Sequence, residues 1–161
     1  MDALRCLFSL IDRRLSYMKA VAAYKWAEGL PIDDAQREDL VLRDSLADAA
    51  DTGLDVESVR EFFLLQIQVA KHVQMEWHKK WKSDGFLQDN VQNPDLQEQI
   101  RPALIDIGAN IVRQIKEALP LLHDKNCSQA ASIRAEIKTQ FVDDGMKAKL
   151  LESLARIKAS T

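Results

Sequence analysis

Residues 3–27 read ALRCLFSLIDRRLSYMKAVAAYKWA, and the spacing of their apolar residues indicates an α-helical protein. Apolar residues recur in it at steps of three and four, which is the spacing of one face of an α-helix. They are Leu4, Leu7, Phe8, Ile11, Leu15, Met18, Ala22 and Trp26. Gly29-Leu30-Pro31 then ends the pattern. The sequence therefore predicts one long N-terminal helix.

Further helices are predicted downstream, because apolar stripes recur between capping and chain-breaking residues. They span about 34–52, 55–81, 95–119, 128–141 and 145–158. Aspartates offer the N-caps of the first three, at Asp33 or Asp34, Asp55 and Asp95. Polar residues over 83–94 form the longest predicted loop. No repeat of fixed period appears, so a solenoid is not expected. From the successive helical patterns we expect an all-α, single-domain bundle of about six helices.

The composition agrees with one packed domain over residues 1–161. Hydrophobic residues make up 47% of the chain and charged residues 29%, which excludes intrinsic disorder. Five glycines and four prolines are too few for a barrel of many short strands. A net charge of −3 argues against a nucleic-acid surface, and no apolar run approaches the ~18–20 residues of a membrane span. Neither a nucleic acid nor a membrane is an expected partner.

Two cations on the first helix face the predicted core. Arg14 and Lys25 are 11 residues apart, which is about three helical turns, and both fall within about 60° of the centre of the apolar stripe. Arg13 points to the far side. The two side chains could converge on an anionic ligand, or they could extend along the stripe into water or pair with carboxylates on a neighbouring helix.

The start of the second helix carries Asp34, Arg37 and Glu38. An arginine in a first turn is disfavoured beside the positive end of the helix dipole, and a bound anion would offset this. The alternative is an exposed turn in which Arg37 pairs with Asp33 or Asp34, a contact worth about 0–1 kcal/mol.

Two glutamines on the third helix lie on or beside its apolar stripe. Gln66 is central, so we expect a structural residue with its hydrogen bonds satisfied. Gln74 lies toward the edge, where a structural role and a ligand-donor role are both open.

Metal and nucleotide sites are not expected. His72 and Glu76 are one turn apart, but no third ligand has motif spacing, and no glycine-rich phosphate loop occurs. The cysteines, Cys6 and Cys127, form no metal-binding motif, and either two buried thiols or a disulfide between them is compatible with the sequence.

Several strings of the sequence resemble the all-helical chorismate mutases. They are Arg14-Leu15, Val21-Ala22-Ala23-Tyr24-Lys25-Trp26, Leu30-Pro31-Ile32 with Asp34-x-x-Arg37-Glu38, Gly53-Leu54-Asp55, and Phe62-Phe63-x-x-Gln66-Ile67. The intervals from Lys25 to Arg14, Asp34 and Arg37 match the active-site spacing of that family. The resemblance covers about residues 4–82, which it implies to be the catalytic core helices.

The second half is similar to the exported, gamma-type subclass, on Asp95-Leu96, Arg101-Pro102 and Leu104-Ile105-Asp106. In that subclass one subunit supplies the whole pocket, so residues 95–161 are expected to complete it with Arg101. The resemblance also implies a homodimer in the periplasm or secreted. A cytoplasmic location stays open, because the N-terminus lacks a signal-peptide pattern. The disulfide of the subclass joins two cysteines of the second half, where this chain has only Cys127.

The activity that the resemblance implies is the rearrangement of chorismate to prephenate. This unimolecular [3,3] reaction needs no nucleophile, base, metal or cofactor. The carboxylates of the substrate would be bound by three arginines, namely Arg14, Arg37 and Arg101. Its ether oxygen would be addressed by Lys25 and Gln74, while Asp34 and Glu38 would orient the ring hydroxyl or the cations. The family often has Ser or Thr where this chain has Ala70, so one substrate contact is expected to be missing.

Two other functions remain compatible with the sequence. An isochorismate pyruvate-lyase would use the same scaffold and much of the same cation set. A helical interaction module without catalysis would place Arg14 and Lys25 in ordinary pairs with acidic neighbours.

Overall fold

The computed structural model describes residues 2–86, 96–126 and 128–161, and every regular element among them is helical. The helices are α1 (Ala3–Ser16), α2 (Met18–Glu28), α3 (Ala35–Thr52), α4 (Val56–Asp84), α5 (Arg101–Leu122), α6 (Gln129–Glu136) and α7 (Asp144–Ala155). A π-helical segment, Leu96–Ile100, leads into α5. The all-α prediction is confirmed.

The predicted N-terminal helix occupies the expected residues but is interrupted at Tyr17. The Tyr17 amide donates to the Arg14 carbonyl, three residues back, instead of continuing the α-helical ladder to Arg13. The Ser16 hydroxyl donates a hydrogen bond to the Arg13 carbonyl at 2.6 Å, which is the usual way in which serine competes with a helix backbone. Because Tyr17 keeps right-handed helical dihedral angles, the chain continues forward from α1 into α2.

The ends of α3 and α4 follow the predicted capping residues. The Asp34 side chain accepts from the Arg37 amide at 3.1 Å, and the Asp55 side chain accepts from the Ser58 amide at 3.1 Å. Gly53 ends α3 in the left-handed conformation, with φ of 89°. Helix α4 continues one turn past the predicted end at Trp81, so it takes up the first part of the predicted loop.

Helix α5 differs from the prediction at its C-terminal end. It does not stop at Leu119, because Pro120 lies inside its last turn and the helix continues to Leu122. A proline removes one hydrogen bond there, and burial of Leu119 and Leu122 offsets the loss. Pro102 lies in the first turn, where its missing N–H costs little.

The last two helices are shorter than predicted. Helix α6 ends at Glu136 because Asp12 of α1 binds the chain that follows. Asp12 Oδ1 accepts from the amides of Lys138 and Thr139, at 2.8 and 2.9 Å, and from the Thr139 hydroxyl at 2.7 Å. Helix α7 ends at Ala155, and the C-terminal segment instead pairs with the turn after α3, with the Asp55 amide donating to the Lys158 carbonyl.

The helices pack around one apolar core and leave a space between four of them. Helix α1 packs on α5 and α6, and α4 packs on α2, α3 and α7. Helix α3 also packs on α5. Successive contacts of Met18 with Gln74 and of Ala22 with His78 show that the α1–α2 rod and α4 run in the same direction.

Some predictions lie outside the described residues. They are the N-cap at Asp95, the loop over 87–94 and the state of Cys127. Cys6 is a free, partly buried thiol, in agreement with the thiol alternative for that residue. Within the described ranges, none of the helices combines the length and hydropathy that spanning a membrane requires.

Candidate active site

A cavity of about 160 Å³ lies between α1–α2, α3, α4 and α5. The residues that the sequence singled out all line it, although they come from positions up to 87 residues apart in the chain. They are Arg14, Lys25, Asp34, Arg37, Glu38, Gln74 and Arg101. The fold therefore brings one cation from each of α1, α2, α3 and α5 to the same space.

Arg14 is buried, and none of the described residues serves as its counter-ion. Its side chain is 8% exposed, and its Nη1 has no hydrogen-bond partner. Burial, and secondarily the charge of Arg37, lower the pKa of Arg14 to about 10, so the guanidinium stays protonated at neutral pH. The pairing with a carboxylate that an interaction module requires is absent for Arg14 in the described part of the chain. A buried, charged donor without a partner is suited to an anion.

Lys25 is half-buried and held by neutral acceptors. Its Nζ donates to Gln74 Oε1 at 3.0 Å and to the Ile32 carbonyl at 2.9 Å. Burial lowers the pKa of Lys25 below the usual lysine value, and Arg101 lowers it further, while Asp34 and Glu38 oppose the shift. Because both partners are uncharged, the ammonium keeps its full positive charge toward the cavity.

Arg37 lies in the first turn of α3, beside Arg101 from the start of α5. Burial and the charge of Arg101 lower the pKa of Arg37. Within the described residues the Arg37 guanidinium forms no salt bridge, and Asp33 pairs with Lys71 instead, at 2.7 Å. The predicted alternative, an Arg37 pair with Asp33 or Asp34, is therefore wrong.

The two predicted acidic residues are engaged with α3 and α4. Asp34 caps α3, and Glu38 Oε2 accepts from the Asp34 amide at 3.0 Å. Glu38 Oε1 accepts from Lys71 Nζ at 3.2 Å. These contacts fix the start of α3, and hence the position from which Arg37 extends.

Sequence reasoning did not single out Lys71 of the cavity wall, and it gave Gln66 a purely structural role. Lys71 lies between Ile67 and Gln74 at steps of four and three, so a helical wheel of α4 places these three residues on one face. Gln66 was expected to have its hydrogen bonds satisfied, and this is wrong: its Oε1 is buried without a partner. Only tertiary structure reveals this, since the position of Gln66 on the stripe looks like an ordinary core site.

The arrangement can bind a small organic anion and polarise one of its oxygens. Five cations line this space, and among the described residues only Lys71 of the five forms a salt bridge, so the other four leave their charge available to an anion. In the described residues, no three histidine, cysteine or acidic side chains lie close enough together to hold a metal ion.

Comparisons with known proteins point to one family. Residues 5–75 match the family model for chorismate mutase type II. A secreted chorismate mutase of Yersinia pestis is 34% identical over 121 residues, which are 75% of this chain and 61% of that protein. A secreted chorismate mutase of Mycolicibacterium smegmatis is 31% identical over 124 residues, covering 75% of this chain and 67% of that protein.

Solved structures agree over nearly the whole chain. The crystal structure of the secreted chorismate mutase from Yersinia pestis superposes with a TM-score of 0.88, at 27% identity, covering 96% of this chain and 97% of that one. A chorismate mutase from Burkholderia thailandensis gives a TM-score of 0.81 at 25% identity, over 94% and 98% of the two chains. The chain therefore belongs to the chorismate mutase family.

Proposed function

We propose that this protein is a chorismate mutase that rearranges chorismate to prephenate. The observation that carries the proposal is the buried Arg14, whose guanidinium has no carboxylate partner among the described residues and lines the same cavity as Lys25, Arg37 and Arg101. Chorismate is a dianion with two carboxylates, so its charge matches this set of cations. The family membership supports the same reaction.

The arginines bind and orient the substrate in this proposal. Arg14, Arg37 and Arg101 hold the two carboxylates, which selects the folded conformer in which the reacting carbons approach each other. Asp34 and Glu38 orient the ring hydroxyl or the neighbouring cations. Because Arg101 comes from the second half of the chain, we infer that residues 1–161 act as one domain, with residues 4–82 as its core and 95–161 completing the pocket.

Lys25 supplies the electrostatic part of catalysis. Negative charge develops on the ether oxygen as its bond to the ring breaks, and the ammonium is fixed in advance by Gln74 and Ile32. A preorganised donor needs no rearrangement at the moment of reaction, which is why such groups lower the barrier.

Gln74 holds Lys25 and also addresses the ether oxygen. Its Nε2 points at the sulfur of Met18, 3.5 Å away, and sulfur is a weak acceptor. A ligand oxygen can replace that contact at little cost, while the amide oxygen keeps the ammonium in place.

We further infer export to the periplasm or the medium, and a homodimer. The names of the two secreted relatives support export, and the resemblance to the exported subclass supports the dimer. Light scattering of the purified protein measures the dimer, and fractionation of cells expressing the native gene measures export.

The test of the activity is a direct assay with two substrates. The protein is incubated with chorismate and, separately, with isochorismate, and the products are followed by absorbance. Prephenate from chorismate supports the proposal. Pyruvate from isochorismate, without prephenate from chorismate, would instead support an isochorismate pyruvate-lyase. No turnover of either substrate would support a non-catalytic interaction module.

A further inference from the structure

The proposed reaction gives no role to Gln66, a buried polar residue of the cavity wall. Gln66 of α4 is 4% exposed, and its Oε1 is buried without a hydrogen-bond partner. Within the described residues, its amide makes no hydrogen bond at all. Since native proteins satisfy nearly all buried polar atoms, an uncommitted amide facing a cavity points to a ligand. Toward an anionic ligand only Nε2 can donate, because Oε1 is an acceptor.

The register of the helices places Gln66 at the Arg14 end of the cavity. Helix α4 runs parallel to the α1–α2 rod, with Met18 level with Gln74. One turn earlier on both elements, Arg14 is level with Ala70, and Gln66 precedes Ala70 by one further turn of α4. Gln66 and Arg14 line the same cavity from two helices, and each carries a buried polar atom without a partner.

Ala70 leaves room between the two glutamines of α4. It lines the cavity with a methyl group alone, so it offers no hydrogen bond to a ligand carboxylate beside Arg14. The side chain of Gln66, one turn away on the same face, is long enough to extend over that methyl group. The amide nitrogen Nε2, unlike Oε1, is not among the buried atoms without a partner, so it keeps accessible surface.

We propose that Gln66 is a further substrate-binding residue, whose Nε2 donates a hydrogen bond to the carboxylate that Arg14 holds. The inference rests on the proposed function for the identity of the ligand. It assigns to Gln66 the contact that Ala70 cannot make, so the substrate carboxylate regains a neutral donor beside the guanidinium.

The first test compares Gln66→Leu with Gln68→Leu, a matched change on the exposed face of the same helix. We measure kcat and KM for chorismate, and the Kd of a bicyclic dicarboxylate transition-state mimic by calorimetry. Gln66→Leu is expected to raise KM and Kd about tenfold to a hundredfold, the usual value of a hydrogen bond to a charged group. Its kcat changes little, because the contact exists in both ground and transition states. Values for Gln66→Leu within twofold of wild type would overturn the inference.

A second test separates binding from a structural role. Ala70→Ser is introduced into the Gln66→Leu protein, where the hydroxyl offers a donor near the same carboxylate. We expect it to restore most of the lost affinity, and the melting temperature of Gln66→Leu to equal or exceed that of wild type, since a buried unsatisfied amide has gone. A lowered melting temperature without rescue by Ala70→Ser would show a structural residue instead.

The two proposals fail in different ways. Affinity for the mimic does not depend on turnover, so a wild-type protein that binds the mimic but leaves chorismate unchanged contradicts the mutase activity alone. In that case the effect of Gln66→Leu on the Kd of the mimic still decides the role of Gln66.

Discussion

Lys25 Nζ lies 3.0 Å from Gln74 Oε1, and this contact ties the ammonium of α2 to α4 through a neutral group. A carboxylate in the same place would neutralise the charge and compete with an anionic substrate. The amide instead fixes the direction of the ammonium and leaves its charge available. The catalytic proposal depends on this difference.

Removing Lys25 should abolish most of the catalysis. We expect Lys25→Ala to lower kcat at least about a hundredfold, because loss of one preorganised donor at a developing oxyanion costs ~2.7–4 kcal/mol. Steady-state assays with chorismate measure the effect. The control is Lys79→Ala, which removes an exposed lysine of α4 that pairs with Glu76. Near-normal turnover of Lys25→Ala would refute the assignment.

Arg14 should lower the stability of the free protein and increase its affinity for the ligand. Arg14→Met replaces a buried charge without a counter-ion by an apolar side chain of similar length, so the free energy of unfolding should rise by about 1–4 kcal/mol. Binding of the dicarboxylate mimic should weaken by about 2–5 kcal/mol. Urea unfolding and calorimetry measure the two effects. Arg13→Met, on the exposed side of α1, should change neither, and a destabilised Arg14→Met protein would contradict the interpretation.

The pH profile should be flat near neutrality and fall on the alkaline side. Lys25 acts as a cation, and burial lowers its pKa, so kcat/KM should decline at a pH below the usual lysine value of 10.5. The bound dianion favours the ammonium, so the decline in kcat should come at a higher pH. On the acid side Gln74 needs no proton, in contrast to a glutamate.

Gln74→Glu is the matched comparison for the acid side of that profile. A glutamate must be protonated to donate to the ether oxygen, so this variant should lose activity as pH rises from 5 to 7. Wild-type activity that falls steeply over the same range would contradict the role given to Gln74.

A preformed cavity should make the ligand a strong stabiliser. At a concentration 100 times its Kd, a ligand that binds only the folded protein adds about 2.7 kcal/mol, which for a chain of this size corresponds to about 5–10 °C in Tm. Thermal unfolding with the bicyclic dicarboxylate measures this. A bicyclic monocarboxylate should give a smaller shift, and the absence of any shift would favour the non-catalytic module.

Asp12 should matter for stability and not for chemistry. Asp12→Ala leaves two backbone amides, at Lys138 and Thr139, without their acceptor, and we expect the free energy of unfolding to fall by about 2–4 kcal/mol. Thr139→Val removes only the hydroxyl contact and should cost about 1 kcal/mol. Urea unfolding measures both. Since Asp12 does not line the cavity, kcat of the folded protein should stay unchanged, and a loss of kcat would contradict this division.

The sequence predicted features that depend on local periodicity and capping. The apolar stripe of residues 3–27, the caps at Asp34 and Asp55, and the inward direction of Arg14 all follow from helix geometry and were found as expected. These features need no knowledge of which helices are neighbours.

Features that depend on distant contacts were not predictable in the same way. Helix α6 ends early because Asp12, more than a hundred residues away in sequence, captures the amides of Lys138 and Thr139. The uncommitted amide of Gln66 is likewise visible only once the opposite wall of the cavity is known. The periodicity of a sequence predicts which face of a helix is buried, but it does not predict which residues pack against that face.

The four cavity cations that form no salt bridge among the described residues have a consequence for anyone handling the protein. Their mutual repulsion makes the site receptive to any compact oxyanion of sufficient valence, so phosphate or sulfate in a buffer should compete with the substrate. The apparent KM would then depend on the choice of salt as well as on ionic strength. Kinetic constants obtained in different buffers should be compared only after that competition has been measured.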